Sequence, residues 1–329
     1  MFPPHSNHMK NSLTIPKRMI SAVSATMVLS LSLFANSALA DPFRSTQPQN
    51  IGQNTEAAFK AIFMEGNYPA AQQYLRQAEA AEPNEPLAYA MLASLAYREQ
   101  DWESLKLYAT KTRQTSERLV QNDPLRGNLY AAVGHFLEGA YDLVKQGTVR
   151  GAPQALNKLQ LVFRYLREAE KLAPNDPELN LLKGYMDLML SVNLPFSNPA
   201  QAVDRLERYA APSYLAYRGI AIAYRDLKDD AKAIEYVDRA IAQTPNNPEL
   251  NYLKAQILTS QNQRQEAGRY FQAALARPNL LPKNLVAQIF YEQCRNQNRI
   301  DNQTRNCDAM RDPIRQGNQA WGPETLPPL

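Results

Sequence analysis

The chain has 329 residues, of which 44% are hydrophobic and 21% charged, and its formal net charge is +4. Three basic residues and no acidic ones fall within residues 1–40, so removing that segment lowers the net charge to +1. Nucleic acids and anionic lipid headgroups bind proteins through a broad basic surface, and a nearly neutral chain lacks one. We therefore expect no nucleic-acid partner.

The first forty residues have the layout of a secretory signal peptide. Lys10, Lys17 and Arg18 form the basic start, residues 19–34 are apolar or small, and residues 38–40 read Ala-Leu-Ala. This pattern predicts cleavage after Ala40 and an exported protein, either periplasmic or lumenal. The apolar run is shorter than the roughly 20 residues of a spanning helix. An uncleaved signal anchor is the alternative, and peripheral membrane association would then follow through it or through a partner.

Downstream, the sequence repeats itself. The stretch Pro174-Asn-Asp-Pro-Glu-Leu-Asn-Leu-Leu-Lys-Gly184 matches Pro245-Asn-Asn-Pro-Glu-Leu-Asn-Tyr-Leu-Lys-Ala255 at eight of eleven positions, 71 residues apart. That offset is close to two units of about 34 residues, and helix-turn-helix units of that length stack because one alone cannot bury its apolar face. The repetition therefore predicts an all-α chain of stacked helix pairs.

The clearest unit, residues 214–247, alternates small and bulky side chains at helical spacing. Small residues lie where two helices approach closely, and bulky residues fill the space beside them. The pattern is carried by Tyr217, Ile220, Ala221, Tyr224, Ala233, Val237, Ala240 and Pro245. In these positions the unit resembles the tetratricopeptide repeat (TPR). The resemblance implies a right-handed superhelical α-solenoid, and we expect about six such units within residues 55–280.

Four of the six units depart from the family pattern. In the second, the late Pro124 predicts a long second helix, from about Glu103 to Gln121. The third holds an insertion at 142–158 with a turn-forming stretch at 147–153, and the fourth holds an insertion at 191–196.

The remaining segments flank the repeats. Residues 41–54, which are polar and contain proline, are predicted to form a linker. An apolar helix at 281–293 is predicted to cap the last unit, and residues 294–329 are predicted to form a polar tail pinned by Trp321.

The two cysteines, Cys294 and Cys307, are candidates for a disulfide, since an exported protein meets an oxidising compartment. Closing a loop of this length stabilises the fold by about 3 kcal/mol on the chain-entropy estimate. Two free thiols are the alternative. A redox-active pair would normally have the spacing C-x-x-C.

The sequence offers little catalytic chemistry. Beyond the signal there is one histidine, His135, and no G-x-S-x-G nucleophile motif. The cysteines have no histidine near them to complete a zinc site, and residues 147–151 lack a phosphate-binding loop pattern. We expect no enzyme activity, cofactor or metal, although paired carboxylates for glycoside chemistry stay open because acidic residues are plentiful.

The TPR resemblance instead implies a binding surface, because in that family the first helix of each unit lines the concave face. Tyrosine and arginine are favoured at binding sites since both bury area and keep a polar group. Carried over, the predicted binding residues are Tyr97, His135, Tyr185, Arg218, Arg225 and Tyr252. Their predicted neighbours on that face are Ala90, Ser94, Ala131, Glu138, Leu181, Leu188, Ile222, Gln256 and Thr259. The alternative is that these tyrosines are packing residues.

The family members that clamp a terminal carboxylate use a lysine-asparagine set. The matching helix here has Arg218 and Ile222 instead, without the asparagine. Arg218 and Arg225, two turns apart, are predicted to attract an acidic peptide segment.

Three functions fit these patterns. The first is a non-enzymatic scaffold or assembly factor that binds a protein or peptide partner outside the cytoplasm. The second is a structural subunit of an envelope or membrane-associated complex. The third is a carbohydrate- or lipid-binding carrier.

Overall fold

The computed structural model describes residues 41–193 and 199–329. The predicted signal peptide and its cleavage site, and residues 194–196 of the predicted insertion, lie outside them. The described residues form helices and no strand, which confirms the all-α prediction. The helices are α1 (Gln53–Lys60, continued by a π-helical turn at Ala61–Glu65), α2 (Tyr68–Ala81), α3 (Pro86–Glu99), α4 (Trp102–Leu119), α5 (Pro124–Leu172), α6 (Pro177–Asn193), α7 (Pro199–Tyr209), α8 (Ser213–Asp226), α9 (Asp230–Gln243), α10 (Pro248–Ser260), α11 (Arg264–Ala274), α12 (Lys283–Asp301) and α13 (Cys307–Gln316).

Several helices begin with the same two signals, a polar capping side chain followed by proline. The side chains of Glu85, Asp123, Asp176 and Asn247 each accept a hydrogen bond from a backbone N–H of the helix that follows, at 2.9 or 3.0 Å. Proline suits the first helical position because no intrahelical partner exists there for its missing N–H. These caps start α3, α5, α6 and α10.

The turns inside the helix pairs recur with a fixed period. Gly66 and Gln100 lie 34 positions apart, and both adopt a left-handed backbone with φ of 61°. Lys228 and Asn262, also 34 apart, have φ of 65° and 60°. A left-handed residue ends a helix, and the next residue then caps the second helix, as Asp101 caps α4. The repetition in sequence is therefore matched by a repetition in backbone conformation.

Packing follows chain order. Each helix contacts the next one, and the first helices of successive pairs also contact one another: α1 with α3, α3 with α5, α6 with α8, and α8 with α10. The small residues predicted at close helix approaches, Ala221, Ala233 and Ala240, are completely buried. The first helices therefore contact one another along the chain, and we call them the inner row.

The long second helix predicted in the second unit is confirmed as α4. The insertion at 142–158 lengthens the third helix pair without adding a separate element. A single left-handed residue, Gly147, with φ of 75°, divides α5 into two halves. The halves fold back on each other so closely that a Cβ on Gly151 would lie 2.6 Å from the carbonyl oxygen of Asp142. Proline at 153 is accommodated inside the second half, so the predicted turn is shorter than its sequence indicated.

The segment predicted as a linker is packed against the helices. Phe43 is buried and its ring contacts Phe59 edge to face at 5.0 Å. The Asp41 carboxylate accepts hydrogen bonds from the backbone N–H groups of Phe43, Arg44 and Gln49. Residues 41–51 are thus ordered by contacts that a short-range reading of the sequence does not contain.

The C-terminal region is also more structured than predicted. The capping helix α12 extends to Asp301, beyond the predicted end at 293, and α13 follows within the predicted tail. A disulfide joins Cys294 to Cys307, with a Cα–Cα distance of 5.7 Å. Trp321 pairs with Pro282 in an isolated bridge, so the last residues return to the start of α12.

The first helix pair also contacts α10, which lies far along the chain. Asn247 Nδ2 donates a 2.8 Å hydrogen bond to the carbonyl oxygen of Phe63. Gly66 lies so close to Pro248 that a Cβ there would be 2.5 Å from the proline ring. These contacts connect the turn between α1 and α2 to the start of α10.

Candidate functional site

The inner row of helices surrounds a cavity of about 340 Å³, which we call the inner cavity. Its walls are mostly aliphatic and aromatic, a composition typical of ligand and side-chain binding pockets. They come from the N-terminal segment and from the first helices of the pairs. The lining residues are Phe43, Phe59, Phe63, Leu87, Ala90, Met91, Ser94, Tyr130, Val133, Leu181, Leu182, Tyr185, Leu215, Arg218 and Ile222.

Two of the predicted binding residues, Tyr185 and Arg218, line the inner cavity. The Tyr185 hydroxyl donates a 2.6 Å hydrogen bond to the carbonyl oxygen of Leu215, and burial raises the pKa of Tyr185 to about 12. Tyr185 therefore stays protonated and packs against α8. Ala90, Ser94, Leu181 and Ile222, predicted as their neighbours on the concave face, line the same cavity.

Arg218 belongs to a buried cluster at the wall of the cavity, centred on Glu249. The Glu249 carboxylate contacts Arg218 Nη2 at 2.8 Å and Arg98 Nη1 at 3.3 Å, and it accepts a hydrogen bond from the Tyr68 hydroxyl. Burial alone would raise the pKa of Glu249, but the two arginines and Tyr68 bring it down to about 2. The cluster has two arginines for one carboxylate, so it carries a surplus positive charge.

A second buried cluster is centred on Glu178. Its carboxylate contacts Arg44 Nη2 at 2.9 Å and Arg126 Nε at 3.4 Å, and it accepts a hydrogen bond from the Tyr130 hydroxyl. Arg44 also pairs with Asp176 at 2.8 Å, and Arg126 pairs with Glu85 at 2.7 Å.

The second cluster has the opposite charge balance from the first. With Asp41, which contacts Arg44 at 3.1 Å, it holds four carboxylates for two arginines. Burial raises the pKa of Glu85, although Arg126 opposes that shift.

Tyr97 and His135 lie outside the lining of the inner cavity. Tyr97 is 48% exposed and its ring contacts Trp102 edge to face at 5.9 Å. His135 is buried in the third helix pair, where its ring stacks on Tyr165 at 5.5 Å and Nδ1 lies 3.6 Å from Glu138. His135 thus packs within the third helix pair, and its role in binding stays a prediction.

Arg225 lines a different site, which we call the polar pocket, and Tyr252 lies behind the lining and bonds one of its residues. The polar pocket has a volume of about 580 Å³ and lies between the end of α8, α10, the start of α11, and α12. Arg225 donates to Gln256 at 2.8 Å, and the Tyr252 hydroxyl donates to Glu292 at 2.7 Å. The lining residues are Arg225, Asp226, Lys228, Gln256, Thr259, Ser260, Arg264, Phe271, Gln288, Tyr291, Glu292, Arg295, Asn296 and Arg299.

Of the six predicted binding residues, two thus line the inner cavity and one lines the polar pocket. The sequence analysis did not identify the acidic centres. A signal for them was available. Glu178 and Glu249 occupy the same place in the two matching eleven-residue stretches. In both stretches the carboxylate directly follows the proline that starts the helix. At this position it faces inward on the first helix, where it needs a charged partner to stabilise it. The partner of each was out of reach of local reasoning, because it lies on a distant part of the chain.

A comparison with known proteins gives no family assignment, because no protein-family model and no curated protein matches the chain. Within the described residues, none of the helices is both long enough and apolar enough to cross a membrane.

Proposed function

We propose that the chain is an exported, TPR-like α-solenoid of about six helix pairs, closed by α12. Two observations support this architecture: the 34-residue spacing of the left-handed turn residues, and the contacts between successive first helices.

The proposed function is that of a non-enzymatic scaffold or assembly factor, which binds a partner protein by taking apolar side chains of one segment into the inner cavity. The observation that carries this proposal is the cavity itself, since about 340 Å³ of space with apolar walls accommodates a few large side chains. The surplus positive charge of Arg98 and Arg218 beside it favours a segment that also bears a carboxylate.

Site-specific photo-crosslinking tests this function. A benzophenone side chain placed at Ser94, which lines the cavity, is expected to capture one apolar segment with a neighbouring acidic residue from a protein of the same compartment. The same side chain at Ala80, which is exposed on α2, serves as the control. The captured segment is then made as a synthetic peptide, and its affinity is measured for the wild type and two variants.

The variants fill either the cavity or an outer surface with the same side chain. Ser94→Trp occupies cavity space and is expected to weaken peptide binding at least tenfold, while Ala80→Trp leaves it unchanged. Equal crosslinking at both positions, or equal affinity of the two variants, would contradict the proposed site.

A carrier of small apolar ligands is the second candidate, because the cavity has mostly apolar walls, to which the buried Phe43 of the N-terminal segment contributes. Native mass spectrometry of protein purified from its own compartment separates the two functions. A bound lipid released from wild type and absent from Ser94→Trp, with no peptide captured, would establish the carrier.

A further inference from the structure

The polar pocket shares no lining residue with the inner cavity, and its chemistry is different. Its walls are formed by charged, amide and hydroxyl side chains from α8, α10, α11 and α12. A ligand that fits it must therefore be polar, whereas the occupant proposed for the inner cavity is apolar.

Positive charge dominates the polar pocket. Five basic side chains and two acidic ones line it, and one of the acidic residues, Asp226, already pairs with Arg225. Across residues 41–193 and 199–329, the other four basic side chains have no ion-pair partner: Lys228, Arg264, Arg295 and Arg299. Burial and the charge of Arg299 both lower the pKa of Arg264, so these two arginines repel each other. An anion between them would relieve that repulsion.

A buried amide indicates a second requirement. Asn296 is 2% exposed, and its Nδ2 donates a 2.9 Å hydrogen bond to the carbonyl oxygen of Arg264. Asn296 is one of the residues that line the pocket, and its buried Oδ1 atom has no hydrogen-bond donor among the described residues. A buried acceptor left unpaired is unfavourable, and a ligand hydroxyl that reached Oδ1 would offset that cost. The ligand therefore carries a donor as well as a negative charge.

A second, shallower depression continues the pocket. It has a volume of about 630 Å³, shares Arg264 and Arg299 with the polar pocket, and is otherwise lined largely by amides such as Asn298 and Gln303. Hydrogen-bonding amides on both sides of an arginine pair suit an extended ligand with many hydroxyl groups.

We propose that the polar pocket binds an acidic carbohydrate, whose carboxylate or phosphate pairs with Arg264 and Arg299 while a hydroxyl donates to Oδ1 of Asn296. This activity is additional to the proposed partner binding. Uronic acids and sugar phosphates share the required chemistry, so both serve as probes.

Isothermal titration of the chain from residue 41 onward with four sugars tests the proposal. Glucuronate oligomers and glucose 6-phosphate distinguish the two sources of negative charge, and glucose and maltose oligomers are the neutral controls. At least one acidic probe is expected to bind, with affinity that falls as salt rises, and neither neutral probe is expected to bind. Binding of the neutral probes as tightly as the acidic ones, or no binding of either acidic probe, overturns the proposal.

Matched variants place the ligand at the pocket. The double variant Arg264→Gln, Arg299→Gln is expected to bind the acidic probe at least tenfold more weakly. Arg118→Gln, at an exposed arginine on α4, and Ser94→Trp, in the inner cavity, are expected to bind it normally. Thermal unfolding of each variant shows that the fold is retained. Unchanged affinity of the double variant would overturn the proposal even if the partner-binding function held.

Discussion

Glu178 and Glu249 occupy the same position in two copies of one sequence motif, and each forms a buried cluster with two arginines and a tyrosine. The surroundings of the two clusters nevertheless differ. Arg44 and Arg126, around Glu178, have three further carboxylates between them. Among the described residues, Arg98 and Arg218 have no acidic partner other than Glu249, which they share.

The two clusters also connect different parts of the molecule. The Glu178 cluster holds the N-terminal segment through Arg44, 134 positions away. The Glu249 cluster holds the first helix pair through Tyr68, 181 positions away. One repeated motif thus provides two long-range connections. Only the first includes further carboxylates that can pair with its arginines. We expect the second to be the more sensitive to loss of its glutamate.

The largest expected effect comes from neutralising the two glutamates in separate variants. Glu249→Gln leaves Arg98 and Arg218, which are half-buried, without a carboxylate, and we expect it to destabilise the fold by about 2–3 kcal/mol. Glu178→Gln leaves its arginines paired with Asp176 and Glu85, and we expect a loss of about 1–2 kcal/mol. Urea unfolding monitored by circular dichroism measures both. Equal losses would show that the other carboxylates of the Glu178 cluster do not compensate for the loss of Glu178.

Acid should change the stability contributed by the two clusters in opposite directions. The expected change in unfolding free energy for Glu249 is about 3 kcal/mol. The pKa of Glu249 is lowered from its ordinary 4.5 to about 2, so its contribution is complete above pH 4.5 and is lost as pH falls toward 2. The raised pKa of Glu85 acts the other way, because the folded state then binds the proton more tightly and acid stabilises it.

Unfolding free energy measured from pH 6 to pH 3 tests this difference. Glu249→Gln should flatten the loss of stability on acidification, and Glu85→Gln should steepen it. The carboxylate of Glu138, whose pKa is also about 2, contributes equally to the wild type and to both variants. Parallel curves for the two variants would show that the clusters do not respond to acid in opposite directions.

The smallest effect concerns the two tyrosines. Tyr130→Phe removes a donor from a cluster that has four carboxylates for two arginines, and we expect a loss of about 2 kcal/mol. Tyr68→Phe leaves the single Glu249 carboxylate with two arginines, and we expect a loss of about 1 kcal/mol. The same urea experiments rank them. A larger loss for Tyr68→Phe would contradict this order.

The sequence was sufficient for those parts of the fold that depend on short-range pattern. The long α4 and the buried alanines such as Ala221 and Ala233 followed from spacing alone. The conformation of residues 41–51 did not, because the sequence around Arg44 is typical of a protein surface and two of its three carboxylate partners lie beyond position 175. The extension of α12 past 293 was missed for a related reason, since its polar residues there are stabilised by α11 and α13.

The same distinction applies to the candidate site. The TPR resemblance placed Ser94, Tyr185 and Arg218 on one face, and the structure brings all three to the inner cavity. The sequence could not indicate that Arg225 and Arg218 would line different sites, or that Glu249 would pair with Arg218. Those arrangements depend on how helix pairs stack, which a pattern within one helix does not contain.

The contact between Tyr68 and Glu249 also affects the order in which the molecule matures. Synthesis proceeds from the N-terminus at about 5–20 residues per second, so Glu249 appears on the order of 10–40 s after Tyr68. During that interval the first helix pair lacks the carboxylate that neutralises Arg98 and accepts the Tyr68 hydroxyl. The earliest helices made are therefore among the last to obtain their full set of partners, and the nascent chain must keep them available until α10 has emerged.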